Sequence, residues 1–501
     1  MEDVLYGFIH ALDWINLLAA FCSVAVGITV GALPGLSAAM GVALLIPVTF
    51  AMPTETGLIA LVGVYCGAIF GGSISAILIY TPGTPAAAAT AIDGYQLTLK
   101  GKAGKALGTA VIASFGGAMI STVALYLFAP ALAKLALKFG PSEYFWLSIF
   151  GLTIIAGVSS KSILKGLLSG ALGLLISTIG MDPMLGRPRF TFDSVYLISG
   201  IPFTATLIGL FSMSQVLILA ESKLKESGIS RNFEDKVMLS FKELKTIFPT
   251  ILRSGVIGSI TGILPGAGAT IAAFIGYNEA RRFSKDKDSF GKGSIEGVAG
   301  AEAANNAVTG GSLIPTLTLG IPGESVTAVL LGGLLIKGLQ PGPDLFTIHG
   351  KITYTFFAGF IIVNIFMLGL GLFGSRFFAH ISRVPDKFLI PTIVGLSVVG
   401  SYAIHNQIFD VGVMMVFGII GYFIKKFELN AAAIVLALIL GPIGETGLRR
   451  TLIMNDGNIA ALFNSTISWV LIGLSIFSMF SPILMNKLDK KEENLNNELS
   501  K

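Results

Sequence analysis

Charged residues are scarce in this chain, and their scarcity sets its class. Of its 501 residues only 13% are Asp, Glu, Lys or Arg, whereas soluble globular domains carry roughly a quarter. Hydrophobic residues make up 53%. A composition this apolar excludes an ordinary soluble domain. Runs that reach or exceed the roughly 20 residues needed to cross a hydrocarbon core occupy 14–46, 56–80, 111–130, 352–375 and 459–485.

Other absences narrow the class further. The strict alternation over about ten residues that marks membrane β-strands is missing, so we expect an all-α, polytopic integral membrane protein. The two cysteines, Cys22 and Cys66, lie in apolar runs and predict neither a disulfide framework nor a zinc site. The four histidines show no ligand spacing, and there is no Walker loop, HExxH motif or nucleophile elbow. We therefore expect neither an enzyme nor a bound cofactor or metal.

Two short signatures occur twice, in the same order and at nearly the same separation. Residues 31–38 (GALPGLSA) reappear as 262–269 (GILPGAGA). Gly-Gly-Ser followed by Thr-Pro-Gly, within 71–83, reappears as Gly-Gly-Ser followed by Ile-Pro-Gly, within 310–323. Two matches in register predict two homologous halves in a bundle of roughly ten to twelve helices. We expect a first transmembrane repeat at 1–220, a cytoplasmic linker at 221–246, a second transmembrane repeat at 247–450, an additional C-terminal transmembrane helix at 451–486 and a polar cytoplasmic tail at 487–501.

Loop charge predicts how the halves are oriented. The net charge of +5 is better explained by cytoplasmic loops than by a nucleic-acid partner. Residues 221–245 and 281–292 are rich in Lys and Arg and should be cytoplasmic, whereas the corresponding loops of the first half, 1–13 and 53–55, contain neither. Corresponding loops on opposite faces define an inverted-topology repeat, as in many secondary transporters. Four arginines fall on the outer side and count against this scheme: Arg187, Arg189, Arg449 and Arg450.

The Pro-Gly pairs predict interruptions of membrane helices. Proline lacks the N–H that the helical ladder needs and glycine permits a turn, so we expect broken or re-entrant helices there. Such breaks survive in a membrane only where protein or a water-filled cavity satisfies the freed backbone groups. A helix that starts after a break points its positive N-terminus at that cavity and favours an anion. The expected structural breaks are Pro34, Gly35, Pro265 and Gly266.

Two further breaks are expected, at Pro82-Gly83 and at Pro322-Gly323. These two breaks, with the polar side chains around them, are the candidate binding site. For any single glycine the alternative is close helix packing, the commoner role of small residues in membrane helices. The repetition of the breaks with polar flanks favours a binding site for the whole set. The expected substrate-binding residues are Gly72, Ser73, Thr81, Pro82, Gly83, Thr84, Asn305, Asn306, Gly311, Ser312, Pro322 and Gly323.

Two acidic residues lie in apolar surroundings near the second of these breaks. Carboxylates inside a membrane are costly and usually functional, so Glu302 and Glu324 are candidates for ion coupling. Glu302 can either ligate a cation or carry a proton. Glu324 can alternatively cap the helix that starts after the break, a structural role. Asp93 precedes Gly94, and we expect it in a loop.

Taken together, these motifs resemble those of TctA, the large membrane subunit of the tripartite tricarboxylate transporter family. The resemblance covers nearly the whole chain except the tail, and the combination of motifs is very specific. Glu324 departs from the family pattern, which has a small polar residue there in many members. The matching segments are 31–35, 65–73, 81–86, 93–95, Lys102, Gly104, 181–183, 189–192, 263–268, 302–306, 320–323, 338–343 and 441–445.

The resemblance implies a secondary transporter of the inner (cytoplasmic) membrane. Its partners would be a small four-helix membrane subunit, a periplasmic or lipoprotein solute-binding protein and membrane lipid. We expect the import of di- or tricarboxylates, citrate-like, by alternating access coupled to Na⁺ or H⁺. Two alternatives belong to other classes: a membrane enzyme acting on a lipid or polyprenyl substrate, which would need clustered acids, and a passive anion channel, whose pore should lack the breaks. The carboxylate, the ion and the oligomeric state stay open.

Overall fold

The chain is helical almost throughout. The computed structural model describes residues 2–158, 163–221, 235, 237–266, 268–381, 384 and 386–479. Within these ranges, nine helices are long and apolar enough to cross a membrane. The expectation of an all-α polytopic membrane protein is therefore confirmed. Most of the predicted linker at 221–246 and the predicted polar tail at 487–501 lie outside the described residues.

The helices follow one another closely along the chain. A π-helical stretch, Ile208–Met213, separates α9 from α10. In chain order the helices are α1 Glu2–Ala11, α2 Trp14–Ala32, α3 Ala38–Phe50, α4 Thr54–Ile79, α5 Ala87–Leu99, α6 Ala103–Ala136, α7 Pro141–Val158, α8 Ile163–Ser177, α9 Phe203–Leu207, α10 Ser214–Glu221, α11 Phe241–Ile263, α12 Gly268–Phe283, α13 Ile295–Leu319, α14 Ser325–Ile336, α15 Asp344–Thr347, α16 Gly350–Ile381, α17 Asp386–His405, α18 Ile408–Lys426, α19 Ala431–Met454 and α20 Thr466–Met479.

The chain forms two compact units. Unit 1 comprises residues 1–136 and 203–422, and unit 2 comprises residues 137–202 and 423–501. Unit 1 holds all the residues that the sequence predicts for the binding site. The inverted orientation of the two sequence halves stays a prediction.

The long apolar run at 14–46 is two helices rather than one. Helix α2 ends where Leu33 turns to φ −83° and ψ 115°, and Gly35 then adopts φ +88°, a conformation that glycine accepts without a steric penalty. Nearly the same geometry ends α11, with Leu264 at φ −81° and ψ 107° and Gly266 at φ +83°. The chain therefore leaves helical geometry at both Leu-Pro-Gly motifs.

Helices α4 and α13 also end alike. Each stops at a residue in the left-handed conformation, Tyr80 at φ +55° and Gly320 at φ +71°, immediately before the next break. The N–H of Thr81 reaches back to Ser75 O at 3.4 Å, and that of Ile321 reaches back to Pro315 O at 3.3 Å. Each bond spans six residues and satisfies a carbonyl that the terminated helix leaves free.

Glycines bring the broken segments into backbone contact with neighbouring helices. A Cβ on Gly83 would overlap the carbonyl oxygen of Gly31 and would lie 2.9 Å from Gly72 Cα. A Cβ on Gly323 would lie 2.5 Å from Gly262 O and 2.8 Å from Ser312 Cα. Gly72 therefore occupies the position in the first half that Ser312 occupies in the second. Alignment of the two Gly-Gly-Ser motifs would instead pair Gly72 with Gly311, so the structural correspondence is shifted by one residue.

Helix α13 is the central helix of unit 1. Every residue from Gly297 to Thr318 is buried, because α4, α5, α6, α11, α12 and α14 pack around it. It is 25 residues long but too polar to count among the nine apolar helices. Protein rather than lipid covers this helix, so its polar side chains need only protein partners.

Unit 2 contains a charge network that fixes its two-stranded hairpin. The strands Gly180–Met181 and Pro188–Arg189 pair antiparallel. Arg189 contacts Glu445 of α19 at 2.8 Å, and Arg449 contacts Asp182 at 2.8 Å and Glu445 at 2.9 Å. Arg189 and Arg449, which count against the loop-charge scheme, thus have a structural role that is independent of topology.

Candidate functional site

Glu302 lies at the centre of a buried polar pocket. Its side chain is 0% exposed although it carries a carboxyl group. Thr90 of α5 donates to Oε1 at 2.5 Å, and Ser114 of α6 donates to Oε2 at 3.0 Å. Asn306, one turn along α13, donates to Oε2 at 3.2 Å. Three helices converge on this acid, and we call these residues, together with Asn305, the Glu302 pocket.

Asn305 brings unpaired hydrogen-bonding groups to this pocket. It is 0% exposed and lies beside the Glu302 carboxylate, yet within the described part of the chain neither its Oδ1 nor its Nδ2 is in hydrogen-bond geometry with a protein group. The Oδ1 of Asn306 also lacks a protein partner, while its Nδ2 donates to Ser114 Oγ at 2.8 Å. Buried polar atoms are hydrogen-bonded in the great majority of cases. Three exceptions on adjacent residues therefore single out this pocket.

A second polar group is centred on Glu324. The buried Tyr65 of α4 donates its hydroxyl to Glu324 Oε1, and Ser312 Oγ lies 3.1 Å from the same hydroxyl. The N–H of Ala269, in the first turn of α12, donates to Glu324 Oε2 at 3.3 Å. The carboxylate therefore lies at the positive end of α12. Glu324 itself precedes helix α14, and its N–H donates a hydrogen bond to the hydroxyl of Thr327, in the first turn of that helix, at 3.1 Å.

The break after α4 offers one free hydroxyl. Thr84 is 4% exposed and its Oγ1 has no protein partner. The N–H of Gly83 donates to Gly72 O at 3.2 Å and folds the break back onto α4. The hydroxyls of Ser73 and Thr81 instead donate to carbonyl oxygens of their own segment, at 2.7 and 3.3 Å, and Thr81 is exposed. Thr84 is thus the polar side chain best placed to meet a ligand at this break.

The polar residues of α13 share one face. We call residues 302, 305, 306, 309 and 312 the polar stripe, because their spacing of three to four residues aligns them along the helix. The stripe spans about 15 Å at 1.5 Å per residue and joins the Glu302 pocket to the Tyr65–Glu324 group. Gly311 faces elsewhere, since a Cβ there would overlap the carbonyl oxygen of Ser259 in α11. Gly311 therefore allows close packing of α13 against α11, which is the alternative to a binding role that applies to any single glycine.

The sequence did not single out several residues that complete these groups. Thr90 and Ser114 carry no local signal, because their importance depends on which helices become neighbours. Tyr65 lies in the matching segment 65–73, but the sequence alone gave it no role. Asp93 was expected in a loop, and this expectation is wrong: it is a buried residue of α5. It accepts hydrogen bonds from Tyr277 OH at 2.9 Å and from the N–H groups of Gly293 and Ser294 at 2.7 and 2.9 Å.

Gly94 explains why Asp93 looked like a loop residue. Asp-Gly is a common turn signal, but here the glycine serves packing, because a Cβ would lie 2.7 Å from Ile77 Cγ1 of α4. With α5 close to α4, the Asp93 carboxylate reaches the residues that start α13. Asp93 therefore anchors that start structurally.

The fold and this buried stripe define a multi-pass helical membrane protein with polar groups inside its bundle. The family model of the tripartite tricarboxylate transporter TctA family matches residues 17–436. The chain belongs to this family, and it is a component of a tripartite tricarboxylate transporter.

Two relatives come from Agrobacterium vitis. An uncharacterized 52.8 kDa protein in the TAR-I ttuC′ 3′ region is 36% identical over 494 residues, which cover 98% of each chain. An uncharacterized protein in the TAR-II ttuC′ 3′ region is 35% identical over 236 residues, which cover 47% of this chain and 98% of the relative. No solved structure matches the chain significantly.

Proposed function

We propose that this protein is the permease subunit of a binding-protein-dependent secondary transporter that imports di- or tricarboxylates across the inner membrane. The observation that carries the proposal is the TctA family match over residues 17–436. Transport would run by alternating access and be coupled to a Na⁺ or H⁺ gradient. The partners would be a small four-helix membrane subunit and a periplasmic or lipoprotein solute-binding protein.

The geometry around Glu324 supports a carboxylate as substrate. A carboxylate of the chain itself is already held by the N–H of Ala269 and the hydroxyl of Tyr65. Donors that hold one carboxylate can hold another, since a helix N-terminus and a neutral hydroxyl both favour negative charge. The substrate would compete with Glu324 for these donors, with the hydroxyl of Ser312 3.1 Å from that of Tyr65.

The alternative enzyme would act on a lipid or polyprenyl substrate. A metal-bound diphosphate needs several carboxylates together. Within the described ranges, no group of three or more His, Cys, Asp or Glu could hold a metal ion. The enzyme alternative therefore has no candidate site among these residues.

Uptake measurements separate these functions. The chain is reconstituted into proteoliposomes with both partner subunits and given labelled citrate, other di- and tricarboxylates, and a monocarboxylate. Accumulation against a concentration gradient is expected only with an imposed Na⁺ or H⁺ gradient and with the binding protein present. Flux that equilibrates without any gradient would point to a channel, and the absence of carboxylate uptake under every gradient would refute the proposal.

A further inference from the structure

The Glu302 carboxylate has no basic partner among the residues that the structure describes. Its hydrogen-bond partners are the hydroxyls of Thr90 and Ser114 and the amide of Asn306, and among the described residues no Lys, Arg or His forms an ion pair with it. Asp93 is another fully buried acid of this unit, and three donors satisfy it. An ionised carboxylate taken out of water costs several kcal/mol unless an opposite charge compensates it. Neutral donors alone compensate only part of that cost.

The pocket also contains more oxygen than its hydrogen-bond network uses. Asn305 Oδ1 and Asn306 Oδ1 are buried without a protein partner. Thr90 and Ser114 are fully buried, and each donates its hydroxyl to Glu302. Each hydroxyl oxygen keeps at least one lone pair free, although that of Ser114 also accepts from Asn306 Nδ2. Carboxylate, amide and hydroxyl groups from three helices thus lie together in one buried pocket. Hard cations prefer this set of ligands.

The charge of the pocket selects the kind of cation. One carboxylate contributes a single negative charge, so a monovalent cation makes the pocket neutral, whereas a divalent ion would leave a net positive charge in a buried place. A proton would also neutralise Glu302, but the protonated carboxyl has a single O–H and could donate to only one of the two amide oxygens, Asn305 Oδ1 and Asn306 Oδ1. A cation satisfies both the charge and the amide oxygens.

We propose that Glu302, Asn305, Asn306, Thr90 and Ser114 form a binding site for one sodium ion. The direct contacts of 2.5–3.2 Å among these side chains favour a small cation over potassium. Bound sodium would pull the amide oxygens of the two asparagines inward and lock α5 and α6 against α13. The polar stripe of α13 connects this site to the Tyr65–Glu324 group, so sodium bound here could couple to the substrate. This coupling role rests on the proposed function.

Thermal unfolding of the purified full-length chain tests the site without any transport step. The apparent Tm is measured in NaCl, LiCl, KCl and choline chloride at equal ionic strength, at pH 6 and pH 8. The wild type is expected to gain stability with Na⁺ in a saturable way, and little with K⁺ or choline. Glu302→Gln should abolish the sodium response, and Asn305→Ala should raise the sodium concentration needed for half the response about ten- to a hundred-fold.

Two further variants keep the test decisive. Asp93→Asn changes another fully buried carboxylate that packs against α13 and should keep the sodium response. Thr90→Val preserves shape and the Glu302 charge, so it reports on ligation even if Glu302→Gln does not fold. A sodium response that survives in Glu302→Gln, an unchanged half-response concentration in Thr90→Val, or a response equal for choline overturns the site. Stabilisation by low pH alone, without a sodium effect, shows that Glu302 carries a proton instead.

Failure of the site is distinguishable from failure of the proposed function. Carboxylate uptake that needs a proton gradient, in a chain without a sodium response, leaves the transporter intact and removes the sodium site. A sodium response that depends on Glu302, in a chain that imports no carboxylate, supports the site and refutes the function.

Discussion

At the scale of single residues, Tyr65 links two parts of the candidate site. Its hydroxyl contacts both Ser312 and the carboxylate of Glu324. Tyr65→Phe removes only that hydroxyl, and a hydrogen bond to a charged group is worth about 1.5–3 kcal/mol. We expect this variant to lower both the unfolding free energy and carboxylate uptake, measured by thermal unfolding and by proteoliposome flux.

Tyr126→Phe is the matched control for this variant. The Tyr126 hydroxyl is buried but has no protein hydrogen-bond partner, so its removal should leave uptake unchanged. Equal losses in the two variants would show that the aromatic hydroxyls act only through general packing.

Glu324 has a different expected effect, because its carboxylate occupies donors that a substrate carboxylate would use. Glu324→Gln keeps the size of the side chain and removes the negative charge. We expect the apparent affinity for the transported carboxylate to rise roughly tenfold, about 1.4 kcal/mol, as measured by the concentration dependence of uptake. Glu279→Gln, on the last turns of α12, is the control, and a loss of affinity at position 324 would instead make Glu324 an ion-coupling residue.

At the scale of helices, Gly83 holds the first break against α2. A Cβ there would overlap the carbonyl oxygen of Gly31, so Gly83→Ala should cost about 1–3 kcal/mol of stability through overpacking. Gly369 in α16 has nothing within 4 Å of a Cβ, so Gly369→Ala should be neutral. Chemical or thermal unfolding of both variants makes the comparison. A stable but inactive Gly83→Ala protein would favour a binding role over this packing role.

In unit 2 the hairpin depends on Arg449. The Arg449 guanidinium, which donates to the carboxylate, holds the pKa of Asp182 well below its usual range. A depressed folded-state pKa contributes stability above the unfolded pKa of about 3.9, and this contribution is lost as the pH falls through the lower folded value. The stabilisation that the Arg449–Asp182 pair contributes should therefore be constant from neutral pH down to about pH 4. It should be lost only in stronger acid, as a fall in the apparent Tm.

Neighbouring arginines supply the control for this network. Arg449→Gln should lower the apparent Tm at pH 7 and shift the acid loss of stability toward higher pH. Arg450→Gln changes an exposed residue beside it and should do neither. Identical pH profiles for the two variants would contradict a structural role for the Arg449–Asp182 pair.

At the scale of the whole molecule, the inverted repeat predicts the side of the membrane that each loop faces. In a cysteine-free background, a cysteine at Ala51 should react with an impermeant reagent added outside, and one at Lys285 should not. Both residues are exposed, whereas the adjacent Ser284 is 6% exposed and donates to Glu296 at 2.6 Å, so it would label poorly on either side. Equal labelling of the two positions would refute the inverted orientation.

The sequence by itself determined the class of the protein and the places where its helices stop. Long apolar runs predict membrane helices, and Pro-Gly pairs predict breaks, because both effects act within a few residues of backbone. The resemblance to TctA, read from short motifs, agrees with the family match. Glu302 was also visible from the sequence, since an acid in apolar surroundings is rare whatever its neighbours are.

Only the tertiary structure decided what surrounds that acid. Thr90 and Ser114 lie 212 and 188 residues from Glu302 along the chain, so no local pattern could have joined them to it. Packing likewise placed Asp93 inside a helix despite its turn-like neighbour. Helix α13 is too polar to be recognised as a membrane span on its own. It is stable at the centre of unit 1 because the surrounding helices, and not lipid, cover it and offer partners to most of its polar side chains.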